Sequence, residues 1–172
     1  MCGFGVELRR GAAPDRAALE RMHAALAPRG PDGEGIWLDG SAGLVHRRLA
    51  VIDLSELGAQ PMRDDALGLA VVFNGCIYNH RELRAELEGL GHAFRSSSDT
   101  EVILRGWDEW GEGVLDRLAG MFAFALLETR SGRCTFARDR LGIKPLYLAD
   151  LPGGGLRAAW TRAWIRSACT TT

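Results

Sequence analysis

The order of segments in this 172-residue chain predicts an α+β fold in which sheets lie in layers under covering helices. Two observations carry that expectation. Strand-like apolar runs come in groups, at residues 36–38, 42–45 and 69–73 and again at 121–127 and 133–137, with helical patterns between the groups. The strict alternation of a doubly wound parallel sheet is therefore missing. The length and an apolar content of 47% suffice for one buried core and fall short of two, which predicts a single globular domain.

Residues 3–8 read as a buried strand that begins at the N-terminus, where chains are commonly loose, so something must hold this end in place. Residues 15–27 put Leu19, Met22 and Leu26 on one helical face, and Pro28 stops the run before the turn-rich Arg29-Gly30-Pro31-Asp32-Gly33. Strands follow at 36–38 and 42–45. The run at 69–73 reads as a strand ended by Asn74-Gly75, a dipeptide that commonly makes a hairpin turn. Asn79 is placed to cap a helix with Leu83, Leu87 and Leu90 on one face, Glu82 at its third position and Gly91 just past its end. Residues 98–101 have the spacing of a second capping box, followed by Val102, Ile103, Trp107 and Trp110 on one side. A hairpin of 121–127 and 133–137 is expected around the turn 129–132, then a strand at 145–148. From Leu151 onward periodicity is lost among glycines and scattered arginines, so 151–172 reads as a loose, unassigned tail after a domain of residues 1–150.

Composition narrows the functional classes. Basic and acidic residues number 21 and 22 without long runs of like charge, which leaves no electrostatic footprint for nucleic acid or anionic lipid. No stretch approaches the roughly 20 apolar residues of a membrane span, and the N-terminus lacks the basic-then-apolar order of a secretory signal; a cytoplasmic protein is expected. Cys2, Cys76, Cys134 and Cys169 have neither zinc-site spacing nor the density of a disulfide framework, which predicts free thiols in a reducing compartment and no metal.

The specific functional signal is an ordered series of motifs. Met-Cys-Gly opens the chain, followed by Arg-Gly-Pro-Asp at 29–32, His-Arg-Arg-Leu-Ala-Val-Ile-Asp at 46–53, Asn-Gly-Cys-Ile-Tyr-Asn at 74–79, Ser-Asp-Thr-Glu at 98–101 and Arg-Asp-Arg-Leu-Gly-Ile-Lys-Pro-Leu-Tyr at 138–147. In this order, over residues 1 to about 150, they resemble the class II glutamine amidotransferase domain of the asparagine synthetase family. The relatives acting on aminosugars or phosphoribosyl pyrophosphate carry different residues at these motifs. The resemblance implies an N-terminal nucleophile hydrolase fold, an αββα sandwich of two antiparallel sheets covered by helices. It also implies hydrolysis of L-glutamine to L-glutamate and ammonia.

The residues make chemical sense in those roles. A thiolate attacks an amide carbonyl well, yet a cysteine with pKa of about 8.5 is mostly protonated at neutral pH and needs a base. Removal of Met1 would supply one, since the α-amine of Cys2, with a reference pKa of about 7.7–8.0, then lies within reach of its own thiol. Taken alone, Cys2 reads as a small residue after the initiator. A Cys-His pair of the papain kind has four histidines to draw on and no spacing that favours one. The resemblance gives Cys2 the nucleophile's role and makes the Asn74 side chain and the Gly75 amide the oxyanion donors. Arg48 would clamp the glutamine carboxylate and Asp99 its ammonium, with Leu49, Val51, Ile52 and Cys76 lining the pocket. Without the motifs, Arg47 and Arg48 read as solvated strand-end charges and Asp99 as a helix cap. Residues 29–32 and 138–147 take mainly scaffold roles, with Lys144-Pro145 able to order loops around the pocket or face a partner domain.

One position departs from the pattern. Many asparagine synthetases have, where Cys76 stands, a glutamate that helps bind the substrate ammonium. Its loss predicts glutamine binding weaker by about 1–3 kcal/mol unless something compensates. The Asn-Gly-Cys-Ile-Tyr-Asn version resembles a bacterial branch that amidates N-acetylglutaminylglutamine, the expected subfamily. Nothing resembles the Ser-Gly-Gly-x-Asp-Ser pyrophosphate loop of the family's synthetase domain; Gly153-Gly154-Gly155 lacks the serine and aspartate. The expected partner is therefore a synthetase domain or subunit, to which ATP and Mg would belong, with no cofactor for the glutaminase half. A truncated gene product is preferred over a stand-alone subunit, and apolar surface left by a missing partner would favour homo-oligomers. Two other readings compete: a non-catalytic glutamine-binding or interaction module, and another N-terminal-cysteine hydrolase such as an acylase, in which Arg48 and Asp99 would have no zwitterion to hold.

Overall fold

A computed structural model describes residues 2–160. In chain order it forms strand β1 (Gly3–Arg9), helix α1 (Arg16–Leu26), strands β2 (Gly33–Asp39), β3 (Ala42–Arg48), β4 (Met62–Asp64) and β5 (Leu69–Ile77), and helices α2 (His80–Gly89), α3 (Asp99–Trp110) and α4 (Val114–Arg117). Strands β6 (Gly120–Glu128), β7 (Arg133–Arg138), β8 (Tyr147–Asp150) and β9 (Gly155–Ala159) complete it. One sheet has the order β2-β3-β1-β9-β8 and the other β4-β5-β6-β7, and every neighbouring pair is antiparallel.

Alternation along the strands builds four layers. Phe4, Val6 and Leu44 of the first sheet meet Ala70, Val72, Ala123 and Ala125 of the second, and the alanines let the sheets approach closely. Val71, Phe73, Phe122, Phe124 and Leu126 face the opposite way and pack on Leu83 and Leu87 of α2 and Val102, Ile103 and Trp107 of α3. The outer side of the first sheet is covered by Leu19, Met22 and Leu26 of α1 against Val45 and Ala159. This is the expected αββα sandwich. The N-terminus is held because β1 is an interior strand, paired with β3 on one side and β9 on the other.

Four local expectations are corrected. Asn74-Gly75 does not turn: β5 runs on to Ile77, with Asn74 opposite Ala123 and Gly75 opposite Phe122. A full-length partner overrides the dipeptide's preference, and a Cβ on Gly75 would lie 2.3 Å from the Met121 carbonyl, so glycine serves close strand approach here. Asn79 stands at the start of α2 without capping it by side chain; its Nδ2 donates to the Arg117 carbonyl (2.9 Å) and its Oδ1 accepts from the Ala119 N–H (2.9 Å), tying down the entry to β6. Ser98 does cap α3, accepting from the Thr100 N–H (3.2 Å), but Glu101 turns away from the box to accept from the Arg95 (3.0 Å) and Ser96 (2.8 Å) N–H groups. The loose tail is overturned for residues 155–159, which form β9 inside the sheet; residues 161–172, Cys169 among them, lie outside the described residues. No helix among the described residues is long and apolar enough to cross a membrane.

Candidate active site

The start of β1, the end of β3, the middle of β5 and the N-terminus of α3 converge on a cleft of about 270 Å³. That is at the small end of ligand pockets, which run roughly 300–1,000 Å³, and suits an amino-acid-sized guest. The structure brings Cys2, Arg48, Leu49, Val51, Ile52, Asn74, Gly75, Cys76 and Asp99 together around it.

Cys2 is half-buried, and its Sγ accepts from the Leu49 N–H at 3.3 Å. Burial pushes the thiol above its ordinary pKa, against the Leu49 N–H, the chain's positive N-terminus and Arg48, all of which lower it. A thiol so placed needs a base. The backbone beside it is braced by the 29–32 turn: the Asp32 N–H donates to the Arg48 carbonyl (3.0 Å), and the Asp32 carboxylate accepts from the Ala50 N–H (3.0 Å).

Arg48 leaves the end of β3 and is held by backbone oxygens, donating to the Ser55 carbonyl at 2.8 Å and to the Asp53 carbonyl. No carboxylate pairs with it among the described ion pairs, so its charge is available to the cleft. Asp53 shapes this loop: its carboxylate accepts from the Ser55 N–H (2.8 Å), the Ser55 hydroxyl (2.6 Å) and the Ser97 N–H (2.8 Å). Burial would raise its pKa, but these donors outweigh it and hold the carboxyl at about 2. Packing is close here, since a Cβ on Gly58 would collide with the Arg48 guanidinium.

The ladder orients the Gly75 amide. Phe122, opposite Gly75, spends its N–H on the Asp139 carboxylate (3.1 Å) and its carbonyl on the Asp139 N–H (2.8 Å), so it does not bond to Gly75. Phe73, Gly75 and Ile77 must then direct their N–H groups away from β6. The Phe73 N–H donates to Gln60 Oε1 (2.7 Å) and the Ile77 N–H to Asp99 Oδ2 (3.0 Å), leaving the Gly75 N–H between them, facing the cleft. The buried Asn74 carboxamide, oriented to satisfy its neighbours, donates from Nδ2 to the Cys2 carbonyl (3.1 Å) and accepts at Oδ1 from Trp160 Nε1 (2.6 Å).

Asp99 is the first residue of α3, whose positive end favours a carboxylate. Burial nonetheless raises its pKa, against the lowering effects of the Ile77 N–H and His80. Cys76 lies between opposite charges: burial raises its pKa and Asp99 adds to that, while Lys144 lowers it. Lys144 reaches the cleft on a loop pinned by Asp139, whose carboxylate takes the Ile143 (2.9 Å) and Lys144 (3.0 Å) N–H groups. Among the described residues no group of three or more His, Cys, Asp or Glu could hold a metal ion.

Sequence reasoning missed several wall residues: Asp53, Gly58, Gln60, Phe73, Ser98, Thr100 and Met121. Asp53, Ser98 and Thr100 stood inside recognised motifs and could have been found there. Gln60 and Met121 carry no local signal, because only the tertiary fold brings them to β5 and the cleft.

The family model for a glutamine amidotransferase domain matches residues 1–171. The chain is 39% identical over 151 residues to asparagine synthetase [glutamine-hydrolyzing] 3 of Bacillus subtilis, covering 86% of this chain and 24% of that protein. It is 41% identical over 171 residues to the asparagine synthetase [glutamine-hydrolyzing] of Asparagus officinalis, covering 97% of this chain and 27% of that one. It thus spans about a quarter of the length of these relatives. Its fold is that of a glutamine phosphoribosylpyrophosphate amidotransferase from B. subtilis, with a TM-score of 0.78 at 23% identity over 96% of this chain and 43% of that one.

Proposed function

We propose, from the premise that this chain belongs to the glutamine amidotransferase domain family, that it hydrolyses L-glutamine to L-glutamate and ammonia as the glutaminase half of an asparagine-synthetase-like enzyme. The observation that carries the reading is a single cleft joining a thiol, inward amide donors, a cation and a carboxylate: Cys2, Gly75 and Asn74, Arg48 and Asp99. The cation and the carboxylate match the two charges of an amino acid, which an acylase substrate would lack.

With Met1 removed, the α-amine of Cys2 takes the thiol proton as sulfur attacks the carboxamide carbon. The Gly75 N–H and Asn74 Nδ2 stabilise the oxyanion. The amine then returns the proton to the departing ammonia, and the thioester left on Cys2 is hydrolysed by water to glutamate and free thiol. No metal or organic cofactor enters these steps. The ammonia would pass to an ATP- and Mg-dependent synthetase domain or subunit; the relatives named glutamine-hydrolysing asparagine synthetases are about four times this length. The acceptor is read from Cys76 alone, which favours the branch that amidates N-acetylglutaminylglutamine over the one that makes asparagine.

The test is intact mass with a glutamate-release assay on L-glutamine, with Cys2→Ala and Arg48→Ala as controls. Loss of Met1 and Cys2-dependent release that also needs Arg48 is the expected result. A processed, folded protein without turnover overturns the enzymatic reading and leaves the binding-module one. Turnover that tolerates Arg48→Ala leaves the acylase reading instead.

A further inference from the structure

β9 ends beside the nucleophile. It runs antiparallel to β1, pairing Ala159 with Gly5, and the ladder extends one residue further through the Trp160 N–H to the Phe4 carbonyl (3.3 Å). The half-buried indole thus lies near the Cys2 end of β1, and its Nε1 reaches the second sheet, 2.6 Å from Asn74 Oδ1. The Arg29 guanidinium stacks on the ring with its carbon 3.9 Å from the centroid. Arg29 Nε and Nη2 have no hydrogen-bond partner among the described residues, so stacking is the contact seen for that plane.

A carboxamide can sit two ways round, and only one offers an N–H to an oxyanion. An indole N–H donates and never accepts, so it tolerates only the Asn74 oxygen. Turning the amide over would face Nδ2 against the indole N–H and Oδ1 against the Cys2 carbonyl oxygen, losing both bonds. In the orientation these neighbours dictate, one Nδ2 hydrogen is held by the Cys2 carbonyl, and the amide's second hydrogen remains for substrate.

We propose that Trp160 is a positioning residue that fixes the Asn74 carboxamide with its amide nitrogen toward Cys2, braced from the ring face by Arg29. The inference rests on the glutaminase reading of the cleft.

Trp160→Phe removes the Nε1–H and keeps a ring for Arg29. In protein that hydrolyses glutamine, this change is expected to lower kcat about tenfold with KM within twofold, less than the roughly 100-fold loss expected when an oxyanion donor itself is deleted. In an Asn74→Ala background the same change should cost nothing more. An unchanged kcat, a loss carried by KM, or an equal loss in both backgrounds overturns the proposal. A second measurement needs no turnover: the Trp160 Nε1 proton, assigned by its disappearance in Trp160→Phe, should exchange slowly with solvent and speed up in Asn74→Ala. An exchange rate indifferent to Asn74 overturns the contact. Wild-type protein that releases no glutamate overturns the glutaminase reading instead, and the exchange experiment then decides the Trp160–Asn74 pair by itself.

Discussion

Acidification should weaken this fold through the buried histidine His46. His46 lies fully buried on β3, and its Nε2 meets the Phe73 carbonyl of β5 at 3.0 Å, so it bridges the two sheets behind the cleft. Its Nδ1 has no partner among the described residues. Burial drives the imidazole from its ordinary 6.5 down to about 4, with the Phe73 carbonyl pulling the other way. Between those values the unfolded chain binds a proton that the folded chain excludes, so stability rises with pH through this window and is lost as pH falls. At about 1.4 kcal/mol for each pH unit, the gap from 6.5 to about 4 costs about 2 kcal/mol at pH 5 and about 3 kcal/mol near pH 4. Urea unfolding of wild type and His46→Met at pH 7.5, 6 and 5 would measure it. The variant leaves the Phe73 carbonyl unpaired and should be less stable at pH 7.5, by about 1–3 kcal/mol. Its stability should then fall less than that of wild type on acidification, so the two curves converge. Curves that stay parallel from pH 7.5 to 5 would refute the reasoning.

Other expectations concern the cleft. Gly75→Ala would place a Cβ 2.3 Å from the Met121 oxygen and 2.7 Å from Phe122 Cα, both backbone; β5 and β6 must part, lowering stability by about 1–3 kcal/mol in urea titration and abolishing glutamate release. Asp99 must be ionised to hold an ammonium, and burial raises its pKa, so the KM for glutamine should climb as pH falls toward that raised value. Asp99→Asn should raise KM at least tenfold and flatten the pH dependence, the loss of a charged hydrogen bond being worth about 1.5–3 kcal/mol. Cys76→Glu adds a carboxylate beside Lys144 and should lower KM by roughly 5- to 150-fold, the equivalent of about 1–3 kcal/mol; an unchanged KM would show that the new carboxylate pairs with Lys144 instead, or that Asp99 already suffices for the ammonium.

What was legible in the sequence was what local rules govern. The continuous apolar run at 69–73 specified a strand buried on both faces, and the Leu83/Leu87 and Val102/Trp107 faces specified the covering helices. The site residues could be read together because their motifs occur in a fixed order, although nothing local distinguishes Arg48 from a solvated strand end. Non-local pairing was hidden. Asn74-Gly75 looks like a turn until β6 lies beside it, and Gln60 is unremarkable until its side chain meets the Phe73 N–H.

β9 is the instructive case, because the mounting of Cys2 depends on it. Its sequence, Gly-Leu-Arg-Ala-Ala, has weak apolar alternation, and its central arginine argues for solvent. That arginine is buried because Arg157 Nε meets Glu7 Oε2 at 2.6 Å, while Glu7 Oε1 accepts from Arg9 Nε (2.6 Å) and the Asp15 N–H (2.8 Å). Glu7 therefore joins β1, β9 and the start of α1 in one cluster, and removing it would leave the buried Arg157 charge without its partner at 2.6 Å. Remove β9 and β1 becomes an edge strand, Glu7 keeps Arg9 but loses its buried partner Arg157, and no Trp160 stands beside Asn74. Cys2 sits at the end of that strand. The strand end that carries Cys2 is thus held by residues some 150 positions away, where no periodicity in the sequence announces it.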